Sequence, residues 1–222
     1  YVYSSFSAEK VELTINPEYW GSEPRIQNLT FAGFTTDNTA QLAMRSGAIQ
    51  ANYVNTPKNT SQWAGLDGAT VYSTPSLLST FLTFDTSRAP FDDVHARLAI
   101  SHLVDREALA QVAYGDEAEV MRGMAPDGEF LPLAGSQESL DEFLSGLTQY
   151  EFDVEAARAE LEQSATPDGF TVEVPYPSSE PFAEPVLLSL QQAAEPLGII
   201  LELKPQTFIE WATDIYMFKP AQ

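Results

Sequence analysis

Cysteine is absent from the 222 residues. Its absence excludes disulfides, thiolate metal sites and a cysteine nucleophile, and leaves the compartment open. Positive charge is scarce: 11 Lys and Arg stand against 32 Asp and Glu, a formal charge of −21. Nucleic-acid binding needs clustered Lys and Arg to displace counterions, and docking on anionic lipid needs the same groups, so both are disfavoured. Only two histidines are present, His95 and His102. No apolar run approaches the ~20 residues of a membrane-spanning helix. The N-terminal stretch has no signal-peptide pattern, and a start at Tyr1 rather than Met reads as a mature, trimmed or partial form.

What is present suits a folded chain. Hydrophobic residues make up 44% and aromatic residues 11%, enough to build a core rather than a disordered coil. The length allows one large or two small domains. Charge is uneven: residues 1–75 hold six acids and four bases, residues 76–222 twenty-six acids and seven bases. Such an excess serves solubility, and a sharper reading is attraction of cationic cargo.

Periodicity places the elements. Val11–Ile15 alternates apolar and polar residues as a half-buried strand does, and 26–34 is a second strand candidate. Asp37 is placed to cap a short helix that Gly47 ends in a left-handed turn. Ala51–Val54 reads as extended, and residues 55–69 read as loop. Val71–Phe84 is strand-like but contains Pro75, which cannot donate to a ladder, so the run reads as a crossing between lobes. Asp92 is placed to cap a helix to about Val104, Asp105 a second to Tyr114, and Asp153 a third. Residues 116–149 lack period until a short helix near Leu140–Leu147, and Asp127-Gly128-Glu129 reads as a turn. Phe170–Val174, then a helix from Pro185 to Leu197, then Ile199–Leu203 form a strand–helix–strand unit, which implies a parallel pair with a right-handed crossover.

Candidate chemistry is thin. Asp92 and Asp93 are adjacent acids at a helix start, where side chains diverge, whereas a glycosidase pair converges across roughly 5–9 Å. His95 and His102 lie two helical turns apart, about 10 Å, too far to share an ion, and metal sites want three or four ligands. Neither a nucleophile elbow, a phosphate loop nor a dinucleotide fingerprint occurs. Asp127-Gly128-Glu129 is too short for a calcium loop. Trp211, with Phe208 and Tyr216 nearby, offers large contact area at low entropic cost, or packs between helix and sheet. Phe81 and Thr83 share one face of the 77–84 run by its period of two. Trp20 reads as a turn aromatic that buries against the core.

Four blocks in order carry a family resemblance: Asn16-Pro17-Glu18-Tyr19-Trp20-Gly21, Ser46-Gly47-Ala48-Ile49, the Pro90-Phe91-Asp92-Asp93 entry running on through His95, His102 and Asp105, and Tyr150-Glu151-Phe152-Asp153 with Ala156-Ala157. Together they resemble the family 5 extracellular solute-binding proteins of oligopeptide, dipeptide and nickel importers. The resemblance implies an α/β, two-lobed periplasmic-binding-protein-like fold of type II, present here as a fragment, with 1–75 part of lobe I and 76–222 lobe II, incomplete at its C-terminus. It implies a substrate-binding component of an ABC importer that captures oligopeptide-like solutes outside the membrane and delivers them to permease subunits. It implies no enzyme, no cofactor and no metal, a monomer, and an extracytoplasmic location, lipid-anchored in the full-length form. Phe81, Thr83 and Trp211 are the ligand-binding residues it implies, with Thr83 standing where some peptide binders place an acid. An oligosaccharide binder of the same family, and a secreted hydrolase using a carboxylate pair from the acidic 116–162 region, are the alternatives.

Overall fold

The structure is a computed structural model and describes residues 1–74 and 76–217. The chain divides between Val71 and Tyr72 into two units.

In the first unit three strands, β1 (Val2–Phe6), β2 (Lys10–Thr14) and β3 (Asn28–Ala32), form an antiparallel meander in the order β1-β2-β3. Val11 of β2 stands opposite Phe6 and Phe31, and Leu13 opposite Tyr3 and Leu29, so the alternation read in β2 builds one apolar row across three strands. β1 carries no comparable signal, since all five of its residues are exposed. Helix α1 (Asp37–Arg45) is capped one residue earlier than expected. Thr36 is the cap, its Oγ1 accepting the Thr39 N–H, and Asp37 is the first helical residue. Asp37 instead accepts a 2.7 Å hydrogen bond from the Asn59 amide. Gly47, just beyond the helix, takes the left-handed φ of 74°.

Residues 55–69 are not the loop their composition suggests. A 3-10 turn, Pro57–Asn59, leads into α2 (Thr60–Ala64), which carries Trp63 into the unit's core with Ala40 and Leu66. Trp20, expected to bury, is 91% exposed, its ring 5.3 Å from that of Tyr19 beside it. Among the described residues Ala51–Val54 joins no strand ladder.

The second unit is built on β4 (Thr171–Pro177) and β5 (Ile200–Gln206), a parallel pair joined through α8 (Ala183–Ala194). Pro196 falls in a 3-10 turn after α8, where its missing N–H costs the helix nothing, and Gly198 (φ 76°) returns the chain to β5. Helices α3 (Val94–His102), α4 (Arg106–Tyr114) and α7 (Val154–Gln163) belong to the same unit. Ala99, Ile100 and Leu103 interlock with Ala157 and Leu161 of α7, with Leu190 and Ala194 of α8, and with Ile199 and Leu201 to form one buried core.

The α3 cap is Asp93, not Asp92. The Asp92 N–H is taken up in a turn to the Arg88 carbonyl, while Asp93 Oδ1 accepts the His95 N–H at 2.8 Å. Asp105 and Asp153 cap α4 and α7 as their sequences indicate. Asp127-Gly128-Glu129 is the first turn of a helix, α5 (Asp127–Ala134), rather than a free turn, and α6 (Gln137–Ser145) follows it after Gly135. Arg122 ties the two together by pairing with Asp127 and Asp141.

Among the described residues the run read as a strand, Leu77–Phe84, joins no ladder. A strand exists through a ladder, and no described residue pairs with this run. Side chains tie this part of the chain, residue 73 onward, to the unit. Ser73 donates to Glu117 Oε2 at 2.9 Å, Thr80 Oγ1 bonds the Tyr114 hydroxyl at 2.7 Å, and Phe84 packs on the core. Pro75, on which the crossing between lobes was placed, lies outside the described residues.

Candidate functional site

All three residues singled out for binding sit in the second unit, on two elements. Phe81 and Thr83 lie on the 77–84 run, Phe81 57% exposed and Thr83 exposed. Their positions follow from the two residues that fasten the run, Thr80 and Phe84. Phe84 stacks on Phe91 at 4.8 Å, and Phe91 meets Phe170 edge-on at 5.7 Å, so this end is fixed to the sheet's entry. With 80 and 84 anchored, 81 and 83 are left to solvent.

Trp211 belongs to α9 (Phe208–Tyr216), whose start is set by a reciprocal capping box. Thr207 Oγ1 accepts the Glu210 N–H at 3.3 Å, while the Glu210 carboxylate accepts the Thr207 hydroxyl at 2.8 Å and the Thr207 N–H at 3.0 Å. Those two bonds, the hydroxyl's first, hold the Glu210 carboxyl below its ordinary range. The helix packs over β4 and β5, yet none of its described side chains is fully buried. Trp211 is half-buried, its ring 5.9 Å from Phe208, with Ile209 and Tyr216 exposed on the same helix. Gln206 at the end of β5 donates to Asp214 at 3.0 Å, one turn from Trp211. Among the described residues no ring contact or hydrogen bond links Phe81 or Thr83 to Trp211.

Phe81 and Trp211 offer apolar contact area here. Asp93 is consumed by two backbone N–H groups, those of Ala165 and His95, which lower its pKa. His95 pairs with Glu160 at 2.7 Å and His102 with the Glu151 carbonyl at 2.9 Å, so both imidazoles brace helix junctions. Among the described residues no three His, Asp or Glu gather as metal ligands.

An open depression of 420 Å³ lies between the start of α4, the 120–122 segment, α6 and the 149–152 loop, lined by Asp105, Arg106, Met121, Arg122, Tyr150 and Phe152 among others. A smaller one of 260 Å³ shares Asp105 and Phe152 and extends along α8. None of Phe81, Thr83 or Trp211 lines either. The only available signal is the cluster of polar and aromatic residues in the Tyr150–Asp153 block. Its loop is tied down by Arg106 to the Tyr150 carbonyl at 2.6 Å and by the Asp153 N–H to the His102 carbonyl at 2.9 Å.

The family described as bacterial extracellular solute-binding proteins, family 5 Middle, matches residues 1–219. The glutathione-binding protein GsiB of Salmonella choleraesuis is 23% identical over 182 residues, 82% of this chain and 33% of that protein, so the chain spans a third of its relative's length. Among solved structures, the periplasmic binding protein DppA from Helicobacter pylori in complex with the peptide STSA superposes with a TM-score of 0.78 at 21% identity, over 96% of this chain and 39% of that one. The oligopeptide-binding protein AppA from Bacillus subtilis in complex with a nonapeptide gives 0.68 at 16% identity, over 99% of this chain and 44% of that one. These likenesses establish an α/β fold of the type II periplasmic-binding-protein class, of which the chain covers about two-fifths.

Proposed function

The chain belongs to the family 5 bacterial extracellular solute-binding proteins, and from that premise we propose that it forms part of an ABC-importer component that captures an oligopeptide-like solute outside the membrane and hands it to a permease. Residues 1–75 then belong to lobe I and residues 76–222 to lobe II of a two-lobed clamp, which works by differential affinity between open and closed states rather than by chemistry. The family match over residues 1–219 carries this reading. Phe81, Thr83 and Trp211 are its cargo contacts. Exposed and half-exposed aromatic groups on a fixed frame supply area with little ordering cost, and leave the peptide's backbone groups to direct and water-mediated bonds. The peptide complexes of the two structural neighbours favour peptide over sugar as the cargo.

Native mass spectrometry of the full-length protein tests this. A peptide that co-purifies and elutes intact is the expected result. Release of cleaved fragments would instead support a hydrolase, and a retained oligosaccharide would reassign the cargo.

A further inference from the structure

Helices α5 and α6 stand apart from the core that unites the rest of the second unit. That core takes no described residue from 115–149. Leu140 and Leu144 of α6 are nevertheless buried, at 1% and 2% exposure. Gly123 packs against Leu144, Phe130 and Leu147, and the rings of Phe130 and Phe143 lie 6.2 Å apart. The two helices thus share a small core of their own. Irregular segments, 118–126 and 146–153, join them to the rest of the unit.

Helix α5 is weak by its own sequence. It is eight residues long, and its cap position is Pro126, which makes no side-chain capping bond. Gly128 lies within it, where its backbone freedom opposes helix formation. Pro132 has no N–H for the Gly128 carbonyl one turn back, and its ring crowds that carbonyl. Helices this short are marginal without outside support. Arg122 supplies some of it, pairing with Asp127, the first residue of α5, and with Asp141 of α6 at 2.8 Å. Gln149 Nε2 donates to the Arg122 carbonyl at 3.1 Å and closes the base of the hairpin. These weaknesses and ties all lie within residues 121–149, so they do not depend on what a longer chain adds around them.

We propose that the α5–α6 hairpin is a separate cooperative element, which unfolds and refolds while the core of the unit stays folded, and that Arg122 is the clasp that sets how often it opens. Elements of low local stability supply the lids and moving segments of many proteins. Here Arg122, Asp141, Leu144 and Ser145 form the hairpin's side of the 420 Å³ depression, with residues 104–107 on the other. Unfolding of the hairpin removes that wall and uncovers the surface behind it. Two exposed ion pairs released together correspond to roughly a three- to tenfold change in the open population.

Hydrogen exchange followed by mass spectrometry on the full-length protein tests this, for wild type, R122Q and K204Q. Lys204 pairs with Glu173 and Glu202 on the sheet and serves as the control for losing a surface ion pair elsewhere. In the wild type the amides of α5 and α6 are expected to exchange together, about a hundredfold or more faster than those of α3 and α7. R122Q should speed both hairpin helices by a further three- to tenfold and leave α3 and α7 unchanged, while K204Q leaves the hairpin unchanged. Hairpin exchange as slow as that of α3 and α7 overturns the proposal. So does an effect of R122Q confined to one helix or spread over the whole unit. The measurement needs no cargo, so its failure leaves the transport reading intact.

Discussion

Asp93 Oδ2 accepts the backbone N–H of Ala165, 2.8 Å away and 72 residues along the chain. The other oxygen of the same carboxylate caps α3 through the His95 N–H. One side chain thus starts a helix and fastens the end of α7 to it, with the His95–Glu160 pair a short way along the same junction.

The pH dependence follows from that geometry. The Ala165 N–H, then the His95 N–H, hold the Asp93 carboxyl below its ordinary value of 3.8. A lowered folded-state pKa means stability fully present above the ordinary value and lost as pH falls through the folded one. Asp93→Asn, which must set an NH₂ group against one of the two donors, is expected to lower the melting temperature at pH 7. The deficit should narrow as the pH approaches 2, because the wild type then loses the same bonds. Thermal melts across pH 2–7 check this, and a deficit that stays constant with pH would refute it.

Gly169 and Gly198 approach each other where the two strands begin. A Cβ on Gly169 (φ 101°) would run into the Gly198 carbonyl oxygen, and one on Gly198 into that of Asp168. Gly169→Ala is expected to cost about 2–4 kcal/mol, combining backbone strain with a clash against unyielding main chain. Gly47→Ala is its control. It shares a left-handed φ of 74° but meets nothing within 4 Å, so it should cost only about 1–2 kcal/mol. Chemical denaturation of both variants distinguishes them, and equal losses would show that the contact at Gly169 is relieved by relaxation.

Leu161 joins α7 to the core at 2% exposure. Leu161→Ala should destabilise by about 2–5 kcal/mol through lost transfer energy and a residual cavity. Leu133, 84% exposed at the end of α5, should tolerate alanine within about 0.5 kcal/mol. Urea titrations provide the comparison, and similar values at the two sites would contradict the packing described.

Trp211→Ala should weaken binding of a retained peptide by about tenfold or more, the loss typical of a well-placed aromatic anchor. Ile209→Ala, on the same helix but 77% exposed, should leave it unchanged. Isothermal titration calorimetry on the full-length protein reads both. Equal affinities for W211A and wild type would remove Trp211 from the cargo contacts.

Legibility in the sequence followed the range of the interaction involved. Asp105 and Asp153 were readable as caps because the competing acid lies outside reach of the same N–H groups. In Asp92-Asp93 and Thr36-Asp37 two capping residues stand side by side, and the backbone turn chose between them. The fourfold family pattern and the β4–α8–β5 unit were also readable. β1 and α2 were not, since the exposed VYSSF segment and the polar TSQWA segment show no period of their own.

The contrast between Trp20 and Trp63 marks the boundary. Both are tryptophans beside turn residues, yet one is 91% exposed and the other 3%. Composition, caps and alternation act between residues a few positions apart, so the amino-acid order alone settled the α/β class, the family and most helix limits. Burial and strand pairing depend on what arrives from far along the chain. Only the folded arrangement could therefore decide that Trp63 is core, that no described residue pairs with 77–84, and that a tyrosine 34 residues away bonds Thr80.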